Sequence, residues 1–179
     1  MIVSTVGHGT LTQEDFVALA HDAGLAEVAD IRSFPGSRRN PQYGTEEMSQ
    51  WLPEADLGYV WMQNLGGRRR PKPGSKHIAL RHPSFRAYAD YMETEPFLTG
   101  VNDLLARGDD LAVMCSESVW WRCHRRLLAD HLVLVREVQV RHLMHDGRHA
   151  PHKPTDGVRL QGHRLIYDVG ATPALPDSG

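Results

Sequence analysis

Leu111-Ala112-Val113-Met114-Cys115-Ser116-Glu117-Ser118-Val119-Trp120-Trp121-Arg122-Cys123-His124-Arg125-Arg126 is the stretch that decides how this chain folds. It opens with a continuous apolar run, Leu111 to Met114, and such a run suits a strand covered on both faces. Strands of that kind belong to parallel sheets whose crossovers carry helices. The polar turn after Met114 then leads into a segment read as a helix from about Ser118 to Val135.

Outward from this stretch, strand-like and helix-like segments alternate. Ile2 to Val6 reads as a strand. Thr12 to Asp15 is a capping box, with Phe16, Leu19, Ala20 and Ala23 at helical spacing and Gly24 as the stop. Glu27 to Arg32 is a second strand, and Ser33 to Tyr43 a polar loop with two prolines. Thr45 is placed to cap a helix whose Met48, Trp51, Leu52 and Ala55 share a face. Tyr59 to Leu65 reads as a third strand, followed by a long basic loop from Gly66 to Pro83. Ser84 opens a helix carrying Phe85, Tyr88, Ala89 and Met92 on one side, and Thr94 with Pro96 starts another that Gly108 ends. Val138 to Met144 is a further strand. The segment from His145 onward reads as an irregular flap, with Arg164 to Asp168 as an edge strand. The alternation predicts an α/β fold: a single three-layer domain over residues 1–169, with a mostly parallel central sheet flanked by helices. The Pro-, Gly- and Ala-rich residues 170–179 read as a flexible tail.

With 179 residues, 41% of them hydrophobic and 23% charged, the chain has the composition of a folded globular domain. The formal net charge of -2 means that any affinity for nucleic acid must come from a local patch. Two cysteines are too few for a disulfide framework. The N-terminus has no signal-peptide pattern, and no run approaches the roughly 18 apolar residues of a membrane span, so a cytoplasmic protein without a membrane partner is expected. Oligomeric state is not legible.

In an open parallel sheet, ligands sit beyond the carboxyl ends of the strands. Here those ends are Gly7-His8-Gly9, Asp30-Ile31-Arg32, Gly66-Gly67-Arg68 and Cys115-Ser116-Glu117. They bring His, Asp, Arg, Cys and Glu to one rim. A cysteine between a buried strand and a helix start lies near the positive end of the helix dipole, which lowers a thiol pKa and favours anions. Arg122, Arg125 and Arg126 add donors. Cysteine-dependent phosphatases and sulfurtransferases share this layout, although their loops are richer in glycine. The plainer alternatives are that Cys115 and Cys123 are small buried hydrophobes, that Glu117 only complements a helix dipole, and that His124 is a core histidine.

Cys115, Cys123 and His124, with His8, have metal-ligand chemistry. But neighbours on a helix point about 100° apart, so no metal is expected, and no cofactor. Two basic loops, residues 37–41 with Arg38 and Arg39, and residues 67–76 with Arg68, Arg69 and Arg70, leave the same rim. They are either solvated charge runs or a phosphate-binding collar. Tyr43, Trp61, Trp120 and Trp121 are core residues or platforms for a base.

Several of these pieces occur together elsewhere. Thr5-Val-Gly-His-Gly9, Asp30-Ile-Arg-Ser-Phe-Pro35 with Ser37-Arg-Arg-Asn-Pro41, Leu65-Gly-Gly67, Phe85 with Tyr88-Ala-Asp-Tyr-Met92, and Met114-Cys-Ser-Glu117 with Cys123-His-Arg125 follow one another in the order of the DUF488 family of bacterial and archaeal proteins. From about residue 2 to 160 the chain resembles that family. The resemblance implies a compact α/β domain with His8, Asp30, Arg32, Arg38, Cys115, Glu117, Cys123, His124 and Arg125 at the signature positions. It implies no reaction. Gly9 departs from the serine common there.

The expected function is an enzyme, a hydrolase or transferase, acting on an anionic substrate that carries phosphate, a nucleotide or sulfur. Cys115, Glu117, His124 and His8 would do the chemistry. Asp30, Arg32, Arg38, Arg39, Arg68, Arg122, Cys123 and Arg125 would hold the substrate. The alternative is a nucleic-acid-binding module using the two basic loops. A third reading makes the Cys/Glu/His/Arg group a buried polar network that fixes the fold.

Overall fold

The computed structural model describes residues 1–171. In chain order the elements are β1 (Ile2–Gly7), α1 (Gln13–Asp22), β2 (Glu27–Asp30), α2 (Thr45–Glu54), β3 (Gly58–Trp61), α3 (Pro83–Tyr91), α4 (Glu95–Leu105), β4 (Leu111–Cys115), α5 (Arg125–Leu134), β5 (Gln139–Leu143), β6 (His149–Pro151), β7 (Val158–Gln161) and β8 (Arg164–Tyr167). Three single 3-10 turns lie at Pro41–Tyr43, Gln63–Leu65 and Trp120–Arg122.

The central sheet runs β3-β2-β4-β1-β5-β6. The first five strands are parallel, and β6 pairs antiparallel with β5. Every residue of β4 is buried, as its apolar run requires of a central strand. The fold is therefore the expected α/β class. α1 and α2 cover one face, where Phe16, Leu19, Met48 and Leu52 pack together. α3, α4 and α5 cover the other through Tyr88, Phe97, Leu104, Leu127 and Leu132. The neighbouring strands β1 and β4 thus send their crossovers to opposite faces. That reversal opens a crevice beyond their carboxyl ends.

Local signals account for several boundaries. The Thr12 hydroxyl accepts a hydrogen bond from the Asp15 N–H at 3.1 Å, which caps α1 as its sequence predicts. Other boundaries differ from expectation. The helix expected from Ser118 begins only at Arg125, because a 3-10 turn and an extended Cys123 intervene. β3 ends at Trp61, and the chain then turns through Gln63–Leu65. α3 opens at Pro83, with His82 rather than Ser84 in the capping place, and the His82 ring accepts the Ser84 N–H. Gly44 rather than Thr45 precedes α2, and no side chain caps it.

The expected flap is more regular than its sequence suggests. β6 lies within it, and the predicted edge strand is β8, which pairs with β7 in a separate hairpin and not with the central sheet. Of the expected tail, Gly170 lies in a turn with Val169 that the Ala171 N–H closes on the Asp168 carbonyl; the rest lies outside the described residues.

Candidate functional site

β1 and β4 are stitched together just past the sheet. The His8 N–H donates to the Cys115 carbonyl at 3.0 Å, and the Gly9 N–H to the Ser116 carbonyl at 2.9 Å. Gly7 permits this approach, since a Cβ there would overlap the Glu117 carbonyl. Beyond these bonds lies a cleft of about 630 Å³. Its floor is Cys115, Cys123 and His124, and its walls carry His8, Arg32 and Tyr88. Glu117, Arg68, Arg122 and the exposed rings of Phe34 and Trp121 form its mouth.

Arg32 is held from behind. Its Nε donates to Asp30 Oδ1 at 2.8 Å, and its Nη2 donates to Asp30 Oδ2 at 2.6 Å and to the Tyr43 carbonyl at 2.7 Å. Tyr59 also donates to Asp30 Oδ2 at 2.9 Å. Asp30 is fully buried and compensates the guanidinium, so it positions Arg32 and does not line the cleft. The Arg32 Nη1 donates to His8 Nε2 at 3.3 Å. His8 Nδ1 donates to the Gly9 carbonyl at 2.8 Å, and its ring stacks on Tyr43 with centroids 4.0 Å apart. Burial, with the Arg32 charge adding to it, lowers the His8 pKa to about 4, so the imidazole is neutral near pH 7.

Arg125 is the other buried guanidinium, 2% exposed, and it lies beneath the loop after β4. Its Nη2 donates to the Glu117 carbonyl at 2.7 Å and to the Ser118 carbonyl at 3.2 Å. Among the described residues its Nε and Nη1 make no hydrogen bond, and no carboxylate pairs with it. A buried cation without a carboxylate is costly unless another anion stands near. Cys115 and Cys123 are its neighbours. Each thiol lies close enough to the other to alter its titration. Burial pushes the Cys115 pKa up, but hydrogen bonding with Cys123 and the Arg125 charge outweigh it, and the thiol ends below its ordinary value. Burial pushes Cys123 well above its ordinary value, and proximity to Cys115 pushes it further.

His124 completes the floor. Its Nε2 donates to the Ile31 carbonyl at 3.2 Å, which leaves the Nδ1 lone pair 3.6 Å from Cys123 Sγ. Burial lowers its pKa to about 4. Gly67 matters here, because a Cβ on it would press into the His124 ring.

The sequence-selected residues therefore fall into two sets. His8, Arg32, Arg68, Cys115, Glu117, Arg122, Cys123 and His124 come together around the cleft. Asp30 and Arg125 lie buried behind it, and Arg38 and Arg39 are exposed on the neighbouring loop, off the cleft wall. The helix-dipole argument for Cys115 does not hold, since α5 starts ten positions later; Cys123, whose sulfur accepts the Arg125 N–H at 3.5 Å, has that place instead. In the second basic loop, Arg69 is clasped, with its guanidinium 3.5 Å from the Tyr91 ring centre and bonded to the carbonyls of Gly66 and Gln63. Tyr43 and Trp120 are packed against His8 and His142 and are not free to stack on a base. Sequence reasoning missed Phe34, although an aromatic between a strand end and Pro35 in a polar loop was a usable signal.

A larger, open concavity of about 930 Å³ runs along β3 and α4, but the charge pair within it is the surface pair Glu27–Arg107, so it does not compete as a site. No group of three or more His, Cys, Asp or Glu among the described residues has the arrangement of a metal centre. No helix among them is long and apolar enough to cross a membrane. No curated protein and no solved structure matches the chain. The family model described as domain of unknown function DUF488 matches residues 12–132, about two thirds of the chain, a span that holds the β2, β3 and β4 loops of the cleft but not His8. On that match the chain belongs to the DUF488 family.

Proposed function

We propose that the protein is a thiol-dependent enzyme, a transferase or hydrolase, acting on an anionic substrate at the strand-end cleft. The observation that carries this reading is the buried Arg125 guanidinium, which no carboxylate among the described residues pairs with, set beside a cleft-floor cysteine whose pKa is lowered. In a low-dielectric site the cation favours the thiolate, which is the nucleophilic form of cysteine. Arg68 and Arg122 at the mouth suit a phosphate, carboxylate or sulfur-bearing anion. Arg32 lines the same cleft, and its Nη1 is bonded only to His8, which leaves one N–H of that nitrogen for an anion. Glu117, exposed at the mouth, is the group available for proton transfer, while neutral His8, bonded at both ring nitrogens, orients Arg32. A reducing cytoplasm, where thiols stay free, fits two unpaired cysteines.

Residue-resolved alkylation of the native protein across pH tests this. Cys115 is expected to react well below the ordinary thiol pKa of about 8.5. If both thiols stay inert until the protein unfolds, Cys115 is not the nucleophile. Salt-sensitive nucleic-acid binding by the loops of residues 37–41 and 67–76 then becomes the leading reading.

A further inference from the structure

We infer that Cys115 and Cys123 act together as an attacking and a resolving thiol, so that the cleft carries out thiol–disulfide exchange on a disulfide bearing an anionic group. The inference rests on the proposed reading that Cys115 is an activated thiolate, and it narrows the substrate to one containing an S–S bond.

Three observations point to a pair rather than to one working cysteine. Both thiols are free and line the same cleft floor, at 2% and 5% exposure, close enough to influence each other. Among the described residues no carboxylate pairs with Arg125, which leaves a thiolate as the anion to balance it. Cys123 has its own activating groups: the Arg125 N–H on its sulfur at 3.5 Å, and the bare Nδ1 of His124 at 3.6 Å. These have no use if Cys123 is filler.

The pair works in sequence. The Cys115 thiolate attacks one sulfur of the substrate R–S–S–R′. A Cys115–S–S–R bond forms, the substrate S–S bond breaks, and R′S⁻ leaves. Cys115 is now uncharged, so Arg125 is left without its anion, and Cys123 becomes the thiol whose ionisation it favours. Cys123, oriented by its contact with His124 Nδ1, loses its proton to solvent and attacks the Cys115 sulfur. A Cys115–Cys123 disulfide forms and RS⁻ leaves. Two electrons have passed from the two thiols to the substrate, and a dithiol reductant restores the enzyme. The basic mouth selects anionic R groups.

The test uses 5,5′-dithiobis(2-nitrobenzoate), an aryl disulfide with a carboxylate on each ring, on the reduced full-length protein. Released thionitrobenzoate is counted by absorbance, and the product is weighed intact by mass spectrometry. The expected result is two equivalents released from the native fold, no retained adduct, and a mass lower by two hydrogens. Cys123→Ala should release one equivalent and keep the mixed disulfide. His124→Gln should release the first equivalent normally and the second at least tenfold more slowly. One equivalent with a persistent adduct on Cys115 in the unmodified protein would overturn the pairing and leave the thiolate reading standing. No release before unfolding would overturn both.

Discussion

Arg125 is where sequence, packing and chemistry meet most closely. Its position at the start of α5 buries it, and among the described residues two backbone carbonyls satisfy only one of its side-chain nitrogens. Arg125→Met should therefore move the pH midpoint of Cys115 alkylation up towards that of an ordinary thiol; an unchanged midpoint would show that Cys123 alone sets it. Arg32 is the contrasting case, a guanidinium already neutralised by Asp30. Asp30→Asn leaves an uncompensated buried charge and should cost about 3–5 kcal/mol in denaturant unfolding; a cost below 1 kcal/mol would mean that the pair is not buried in solution. Buried histidines add a pH dependence. Burial holds His8, His124 and His131 to about 4 and His142 to about 3, whereas unfolded histidine titrates near 6.5. Between those values the unfolded chain binds more protons. Stability is thus complete above about pH 6.5 and falls as pH drops towards 4. Circular dichroism should record cooperative acid unfolding with its midpoint above pH 4, and a native signal persisting at pH 3 would contradict it.

At the scale of elements, the loops rather than the helices shape the site. The β1 and β4 ends touch through backbone hydrogen bonds that only a glycine at position 7 admits. Gly7→Ala should force the Glu117 carbonyl off Arg125, cost about 1–3 kcal/mol or more, and slow Cys115 alkylation. Thr12→Ala, at the far end of the same loop, removes a single cap. It should cost about 1 kcal/mol and leave thiol reactivity unchanged. The contrast between the two variants separates loop geometry from general stability. The link between the β2 and β3 loops has the same character, with the Trp61 indole donating to the Arg32 carbonyl at 2.8 Å and the Ser33 hydroxyl donating to the Gly67 carbonyl.

Over the whole molecule, a buried chain of polar side chains ties the C-terminal hairpin to the sheet. Thr5 meets His142 Nδ1 at 2.7 Å, His142 meets His152 at 2.9 Å, and His152 donates to Asp130 Oδ1 at 2.8 Å. Tyr167 of β8 donates to the other Asp130 oxygen at 2.9 Å. Because Asp130 serves α5, β8 and the segment after β6 together, Asp130→Ala should cost on the order of 3 kcal/mol and raise hydrogen exchange across β7 and β8 before the central sheet opens. Uniform exchange of hairpin and sheet would count against that separation. Trp120, stacked on His142 with ring centres 4.0 Å apart, joins this network to the cleft wall, where Trp121 is its neighbour.

How much of this was legible follows from the range of each interaction. Hydrophobic period, the Thr12 cap and the apolar run of β4 act within a few residues, so the α/β class and the order of elements could be read directly. The strand-end rule then brought His8, Arg32, Cys115 and Glu117 to one rim without coordinates. α5 starts seven positions later than its sequence predicts, because Ser118 to Arg122 carry helix-compatible side chains while the Glu117 and Ser118 carbonyls are held by Arg125 and a 3-10 turn follows. Arg38 and Arg125 look alike as sequence, and so do Cys115 and Cys123; burial separates the first pair, and the hydrogen bonds and charges around each buried thiol separate the second. The chain by itself determined which chemical groups collect at the carboxyl end of the sheet. Tertiary structure alone decided which guanidinium is neutralised by a carboxylate, which lies beside the two thiols, and which nitrogen of His124 faces Cys123, because these balances depend on neighbours far apart in sequence, such as His124 and Ile31, 93 positions apart.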